Sequence, residues 1–268
     1  MRRAQSLTWS RLALAASAAI LVAFIGIPVG ALIARGFIQG DVLAALRSPV
    51  ATTALLLSLA TSAIAVAVAV VLGTPAAYLL ARHPFPGRSI VDTLIDLPVV
   101  LPPVVGGLAL LVALGRHGVI GGPLDAAGVD VAFTTGAVVL AQLFVAVPFY
   151  IRAARAGFES VDRRLESVSA TLGAGGWRTF RRVTVPLALP SLIGGAVMCW
   201  ARALGEFGAT IMFAGNVFGR TQTMPLAILE AIETDVDAAL AIAIVLIALA
   251  FAGLLVFKGL ARLGGRVL

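Results

Sequence analysis

Arg202 and Glu206 stand at the far end of an apolar run that begins at Val183. A spacing of four puts their side chains one helical turn apart on the same face, close enough to pair. Charges at membrane depth are costly and face the protein interior or water. The other groups that could do chemistry do not converge. His83 and His117 fall in connecting segments on opposite faces of the membrane, and Cys199 lies alone in an apolar run, so it can form no intramolecular disulfide. With no clustered carboxylates, no metal-ligand set is visible. No catalytic side chains converge, and neither an enzymatic activity nor a cofactor is expected.

The elements that must carry the charged pair follow from composition. Of 268 residues, 60% are hydrophobic and only 12% charged, with a mean hydropathy of +1.04. Soluble domains carry roughly 25% charged residues, so a soluble enzyme, a disulfide scaffold and a disordered chain are excluded as whole-chain readings. Twenty basic residues against thirteen acidic ones give +7. In a membrane protein that excess belongs to cytoplasmic loops, and nucleic acid is not an expected partner. Uncharged windows cover Leu12–Ala34, Ser48–Ala81, Leu97–Gly115, Val131–Ile151, Val183–Ala201 and Ala238–Phe257. Each is about 19 residues or longer, enough to cross a hydrocarbon core as a helix.

The expected fold is therefore an all-α integral membrane protein of six transmembrane helices, a single domain over residues 1–268. Arg2 and Arg3 precede an apolar stretch too long for a signal-peptide core, so the first helix is expected to stay. One set of loops and termini holds Arg2, Arg3, Arg11, Arg82, Arg88, Arg152, Arg155, the arginines from 163 to 182, Lys258, Arg262 and Arg266. The other holds Arg35, Arg47, Arg116 and Arg220, with an acidic group at Glu230, Glu233, Asp235 and Asp237. This asymmetry predicts that both termini and the loop around 152–182 are cytoplasmic. The chain ends about ten residues after its last span, which is expected to leave chemical energy to another chain.

Small residues such as Ala60-Thr61-Ser62-Ala63 and Gly194-Gly195-Ala196 suit close helix approach in a bundle. The third window opens with Leu97-Pro98-Val99-Val100-Leu101-Pro102-Pro103-Val104-Val105-Gly106-Gly107. Its prolines and glycines predict either a bent, locally unwound helix or a simple first-turn start. In the long loop, Leu165, Val168 and Leu172 recur at helical spacing, Gly173, Gly175 and Gly176 break that helix, and a basic segment Trp177–Val183 follows. Pro186 and Pro190 frame the start of the fifth span. Such a knob either lies on lipid headgroups or plugs into a partner protein, and periodicity does not choose. The stretch Thr223–Asp237 reads as a short interfacial helix or a solvated connector.

The loop from Phe158 to Pro186 resembles the EAA loop of ABC importer permeases. Glu166 stands seven residues before Gly173, Ala170, Leu172 and Ala174 fit the pattern, and Val185-Pro186-Leu187 closes it, while Ser167, Val168 and Ser169 stand where the family has alanines. The resemblance implies a coupling helix that docks on cytoplasmic ATP-binding subunits. A second run, Ala201-Arg202-Ala203-Leu204-Gly205-Glu206-Phe207-Gly208-Ala209-Thr210, continues to Phe213-Ala214-Gly215-Asn216 and to Thr221-Gln222-Thr223-Met224-Pro225-Leu226. This run looks like molybdate permeases, and sulfate permeases carry a similar one.

Over residues 50–257 the resemblance implies a bacterial inner-membrane permease with molybdate as cargo and an extracytoplasmic molybdate-binding protein as partner. Tungstate, sulfate and thiosulfate stay open as cargo. Two copies forming one path are expected, since six helices enclose little alone and symmetric pairs are the commonest assembly. A rise of 1.5 Å per residue puts Arg202 about 24 Å and Glu206 about 30 Å outward of Pro186. That position, with the resemblance, makes Arg202, Gly205, Glu206, Phe207, Gly208 and Thr210 candidates for an outer gate in which Phe207 or Met212 blocks the path. The alternative is an ion pair that caps the bundle. Thr210, Asn216, Gln142 and Ser62 are the candidate polar lining.

Overall fold

The computed structural model describes residues 2–39 and 42–264. Arg266 lies outside the described residues, as do the side chains of Arg2, Arg3, Arg11, Lys258 and Arg262. Every regular element among the described residues is helical: α1 (Arg2–Gln39), α2 (Val42–Arg47), α3 (Pro49–Arg82), α4 (Arg88–Val100), α5 (Pro103–Leu114), α6 (Gly121–Ala126), α7 (Thr135–Ser160), α8 (Arg163–Thr171), α9 (Gly176–Thr179), α10 (Val185–Leu204), α11 (Gly208–Phe213), α12 (Met224–Thr234) and α13 (Val236–Gly264). Five of the helical runs are long and apolar enough to cross a membrane, and six if the bent pair α4–α5 counts as one span.

The centre is α7, flanked by α3 and α10. Its start is capped by Thr134, whose hydroxyl accepts from the Ala137 N–H, and α3 starts the same way at Ser48 with Pro49 as its first helical residue. Close approach rests on small residues, as expected where lipid offers no hydrophobic drive between helices. Gly73 of α3 sits against Tyr150 and Ile151, Gly195 of α10 against Ala153 and Tyr150, and Gly157 of α7 against Ser191. The Thr74 and Tyr150 hydroxyls lie 2.6 Å apart, pairing two polar groups inside the bundle.

Three elements refine the sequence reading. The third predicted span is not one helix: α4 and α5 meet at 117° across Leu101 and Pro102. Pro102 and Pro103 carry no N–H to continue the first helix, and the Pro102 carbonyl instead accepts from Val105 and Gly106 to open the second. The prolines therefore act both as a break and as a first turn. Secondly, the basic segment after the glycines is continuous with the fifth span. A π-helical turn, Phe180–Thr184, joins α9 to α10, so the helical run extends from Gly176 to Leu204 and Pro186 lies inside it. In that turn the Val185 N–H reaches back to the Phe180 carbonyl, a wider closure just ahead of a residue that cannot donate. Lastly, α12 is not solvated over its first half. Met224, Leu226 and Ala227 are buried, and the Met224 N–H donates to Ser58 Oγ at 2.8 Å. Ser58 lies nine residues beyond Pro49, about 14 Å along α3 from its start.

The bundle has two chemically different ends. Arg82, the α4–α7 ion pairs and the loop from Val161 to Thr184 share one. At the other, Gly36 of α1 meets Leu240 and Ile244 of α13, and Phe133 bonds to Phe213.

Candidate functional site

At the arginine-rich end, Glu166 does not face outward. Its Oε1 accepts from Arg82 Nη2 at 3.1 Å and from Thr184 Oγ1 at 2.7 Å. Arg82 also donates to the Val161 carbonyl at 2.8 Å. With side-chain exposures of 7% for Arg82 and 19% for Glu166, this pair ties α8 to the end of α3 and the start of α10. Among the exposed residues of α8, beside Arg163, Arg164, Ser167 and Thr171, are the apolar Leu165 and Val168, and the C-cap Leu172 is 82% exposed.

The helix stops where Gly173 takes φ +81°, a left-handed conformation that side chains disfavour. The Gly173 N–H bonds to the Ala170 carbonyl and the Ala174 N–H to that of Ser169, a Schellman closure that satisfies two otherwise orphaned carbonyls. Ser169 Oγ and Thr179 Oγ1, 2.9 Å apart, then fasten α9 beside α8. The loop is thus a knob that exposes Leu165, Val168 and Leu172, built on Glu166 and turned by Gly173. Ala170 is exposed on the knob, Ala174 is half-buried, and Pro186 is the second residue of α10.

At the opposite end α10 stops at Leu204, and the chain turns through Gly205, Glu206 and Phe207 into the short α11. Glu206, 1% exposed, spans the break. Its Oε2 pairs with Arg202 Nη1 at 2.6 Å and its Oε1 accepts from the Ala209 N–H at 2.8 Å. The carboxylate thereby joins the last turn of one helix to the first of the next. There α11 crosses α5 with almost no space between backbones. A Cβ on Gly107 would come within 2.7 Å of Ala209 Cα, and one on Gly208 within 2.9 Å of Pro103 Cβ. Phe207 is half-buried. Of the candidate polar lining, Thr210, Gln142 and Ser62 are buried within the protein, whereas Asn216 is exposed and donates to Glu230 Oε2 at 2.9 Å.

Beside this crossing lies a cavity of about 750 Å³ lined by Arg116, His117, Asp130, Phe133 and Arg220 among others. Arg116 grips Asp130 with two parallel bonds of 3.0 Å. Those hydrogen bonds hold the Asp130 carboxyl below its ordinary range, with a further bond to Asp125 acting the same way, and raise the Arg116 guanidinium. Phe133 takes φ +59°, the one positive value at a described residue other than glycine.

Sequence reasoning missed the partners rather than the positions. Arg82, by sequence only one charge in the topological asymmetry, is the anchor of Glu166. Asp92 and Asp96 drew no notice, yet they pair with Arg155 and Arg152 at 2.6 Å each, and Arg88 approaches Glu159 at 3.8 Å. The signal was available in the spacing of four along Arg88, Asp92 and Asp96, which lays one charge per turn on one face. His83 and His117 lie at opposite ends of the bundle, and no cluster of three or more potential metal ligands occurs among the described residues.

Residues 69–263 match a family described as binding-protein-dependent transport system inner membrane component. Over 209 residues the chain is 47% identical to the molybdenum transport system permease protein ModB of Mycobacterium bovis, covering 77% of this chain and 78% of that protein. Its likeness to the protein of the same name from Escherichia coli K12 is 46% over 213 residues, 78% of this chain and 93% of the relative. In three dimensions it resembles a chain of a bacterial ABC transporter involved in the import of the acidic polysaccharide alginate. The TM-score is 0.75 at 18% identity, covering 98% of this chain and 99% of the other.

Proposed function

This chain belongs to the binding-protein-dependent transport system inner membrane components, and on that premise we propose that it forms the membrane path of an ATP-driven molybdate importer. The observation that carries the reading is the likeness, across most of both chains, to permeases named for molybdenum transport. Molybdate is cargo here and not a cofactor.

In this reading the segment from Phe158 to Pro186 is the docking element. The exposed stripe of α8 seats in a cytoplasmic ATP-binding subunit, while Glu166 and Gly173 hold the stripe in place without belonging to the contact. Two copies of the chain enclose the path around a two-fold axis, with both termini cytoplasmic, and an external binding protein delivers the anion to the end that carries Arg116 and Arg220. ATP binding draws the docking elements together because the nucleotide states of the partner favour different permease conformations, which is the whole energetic requirement. At the outer end, Arg202 and Glu206 fix the α10–α11 turn, Gly205 and Gly208 permit its close packing, and Phe207 closes the path beside Thr210.

Uptake of labelled molybdate in cells with and without the gene tests this. Loss of uptake on deletion, with competition by tungstate and not by sulfate, is expected. Persistent molybdate uptake with reduced sulfate uptake would move the cargo to sulfate. In the same assay, wild-type uptake by assembled Phe207→Ala protein would remove Phe207 from the gate.

A further inference from the structure

Trp177 is 73% exposed and joins two surface features at the arginine-rich end. On one side it shares a pocket of about 340 Å³ with Arg178, Arg181 and Arg182. None of these three guanidinium groups has an ion pair among the described residues. On the other side, with Phe180 stacked at 5.5 Å, it closes the foot of a groove of about 660 Å³. That groove climbs α3 past His83, Tyr78 and Thr74 to Val70. The groove wall is almost wholly apolar, and its foot is cationic.

The dimensions match one class of ligand. From His83 to Val70 is thirteen residues, about 20 Å of helix. One leaflet of hydrocarbon is about 15 Å thick, so the groove takes an acyl chain over most of its length while the headgroup meets the arginines. Trp177 stands between them, where an amphipathic ring favours the interface.

We propose that this surface binds an acidic phospholipid of the leaflet at the arginine-rich end, with its phosphate on Arg178, Arg181 and Arg182 and a chain against α3. A cytoplasmic subunit fits the foot of the groove but cannot follow α3 up to Val70. A second copy meeting this very surface across the two-fold would set its own Arg178, Arg181 and Arg182 against these, so the two-fold contact lies elsewhere on the chain. The site is independent of the cargo, and its failure would leave the transport reading standing.

The test uses the full-length chain in nanodiscs, with Trp9→Phe and Trp200→Phe leaving Trp177 as the sole reporter. Brominated phosphatidylglycerol at equal mole fraction is expected to quench Trp177 about twofold more than brominated phosphatidylcholine, given the charge attraction of basic clusters for anionic lipid. Arg178→Gln, Arg181→Gln and Arg182→Gln together should abolish the preference. Because Trp200 packs on Gly253, native mass spectrometry of the wild-type chain supplies a second readout: retained phosphatidylglycerol, lost in the triple variant. Equal quenching by the two lipids, or an unchanged preference in the triple variant, would overturn the proposal. Loss of the ATP-binding subunit from the triple variant with lipid retention unchanged would assign the arginines to that partner instead and overturn it too.

Discussion

Glu166 shows how a residue's type predicts its importance but not its direction. Sequence placed it in a docking loop, and in the folded chain its carboxylate turns inward to Arg82 and Thr184. A charged hydrogen-bonding group with little solvent contact is worth about 2 kcal/mol when its partner is left unsatisfied. Glu166→Ala should therefore lower the melting temperature and weaken recovery of the ATP-binding subunit. Glu166→Gln, which keeps an acceptor for Thr184, should do less. Adding Arg82→Leu to Glu166→Ala should cost less than the two single changes summed, as for any pair that depends on each other. Full additivity in a thermal-denaturation cycle would show that the contact carries no energy. Arg82 is eighty-four positions away in sequence, and no local pattern names such a partner.

At the scale of elements, uncharged apolar windows locate α3, α7, α10 and α13, because a continuous apolar run in lipid must be helical to satisfy its own backbone. The breaks were harder. The prolines mark the break at 98–103, whereas its angle of 117° and the crossing of α5 with α11 that goes with it are tertiary facts. That crossing is the element most sensitive to volume. At Gly107 an added Cβ meets the backbone of Ala209, its oxygen at 2.6 Å, which cannot move aside as a side-chain tip can. Gly107→Ala should destabilise by about 1–3 kcal/mol through overpacking, seen as a lower melting temperature and reduced uptake. Gly175→Ala, with nothing within 4 Å, should be close to neutral. Equal effects at the two sites would contradict the close crossing. The joining of α9 to α10 through a π-helical turn was equally hidden, since sequence marks where a proline cannot donate and not which carbonyl the neighbouring N–H will find.

For the whole molecule, the arginine asymmetry makes a statement about orientation that can be checked directly. In a Cys199→Ser background, which removes a buried thiol, Ser167→Cys on α8 and Asp235→Cys at the opposite end should label from opposite sides. An impermeant maleimide should reach position 235 in right-side-out vesicles and position 167 only in inverted ones. The reverse result would overturn the assignment of the termini to the cytoplasm.

The membrane-spanning helical class, the places of the long helices, the sorting of charges to two ends and the motifs of the 158–186 and 201–226 segments were all legible in the chain. They depend on local composition and on short-range spacing. The inward turn of Glu166, the α5–α11 crossing, the burial of α12 against Ser58 and the groove beside Trp177 were decided by tertiary structure. Each joins residues distant in sequence, and the identity of a packing neighbour is a property of the folded bundle alone.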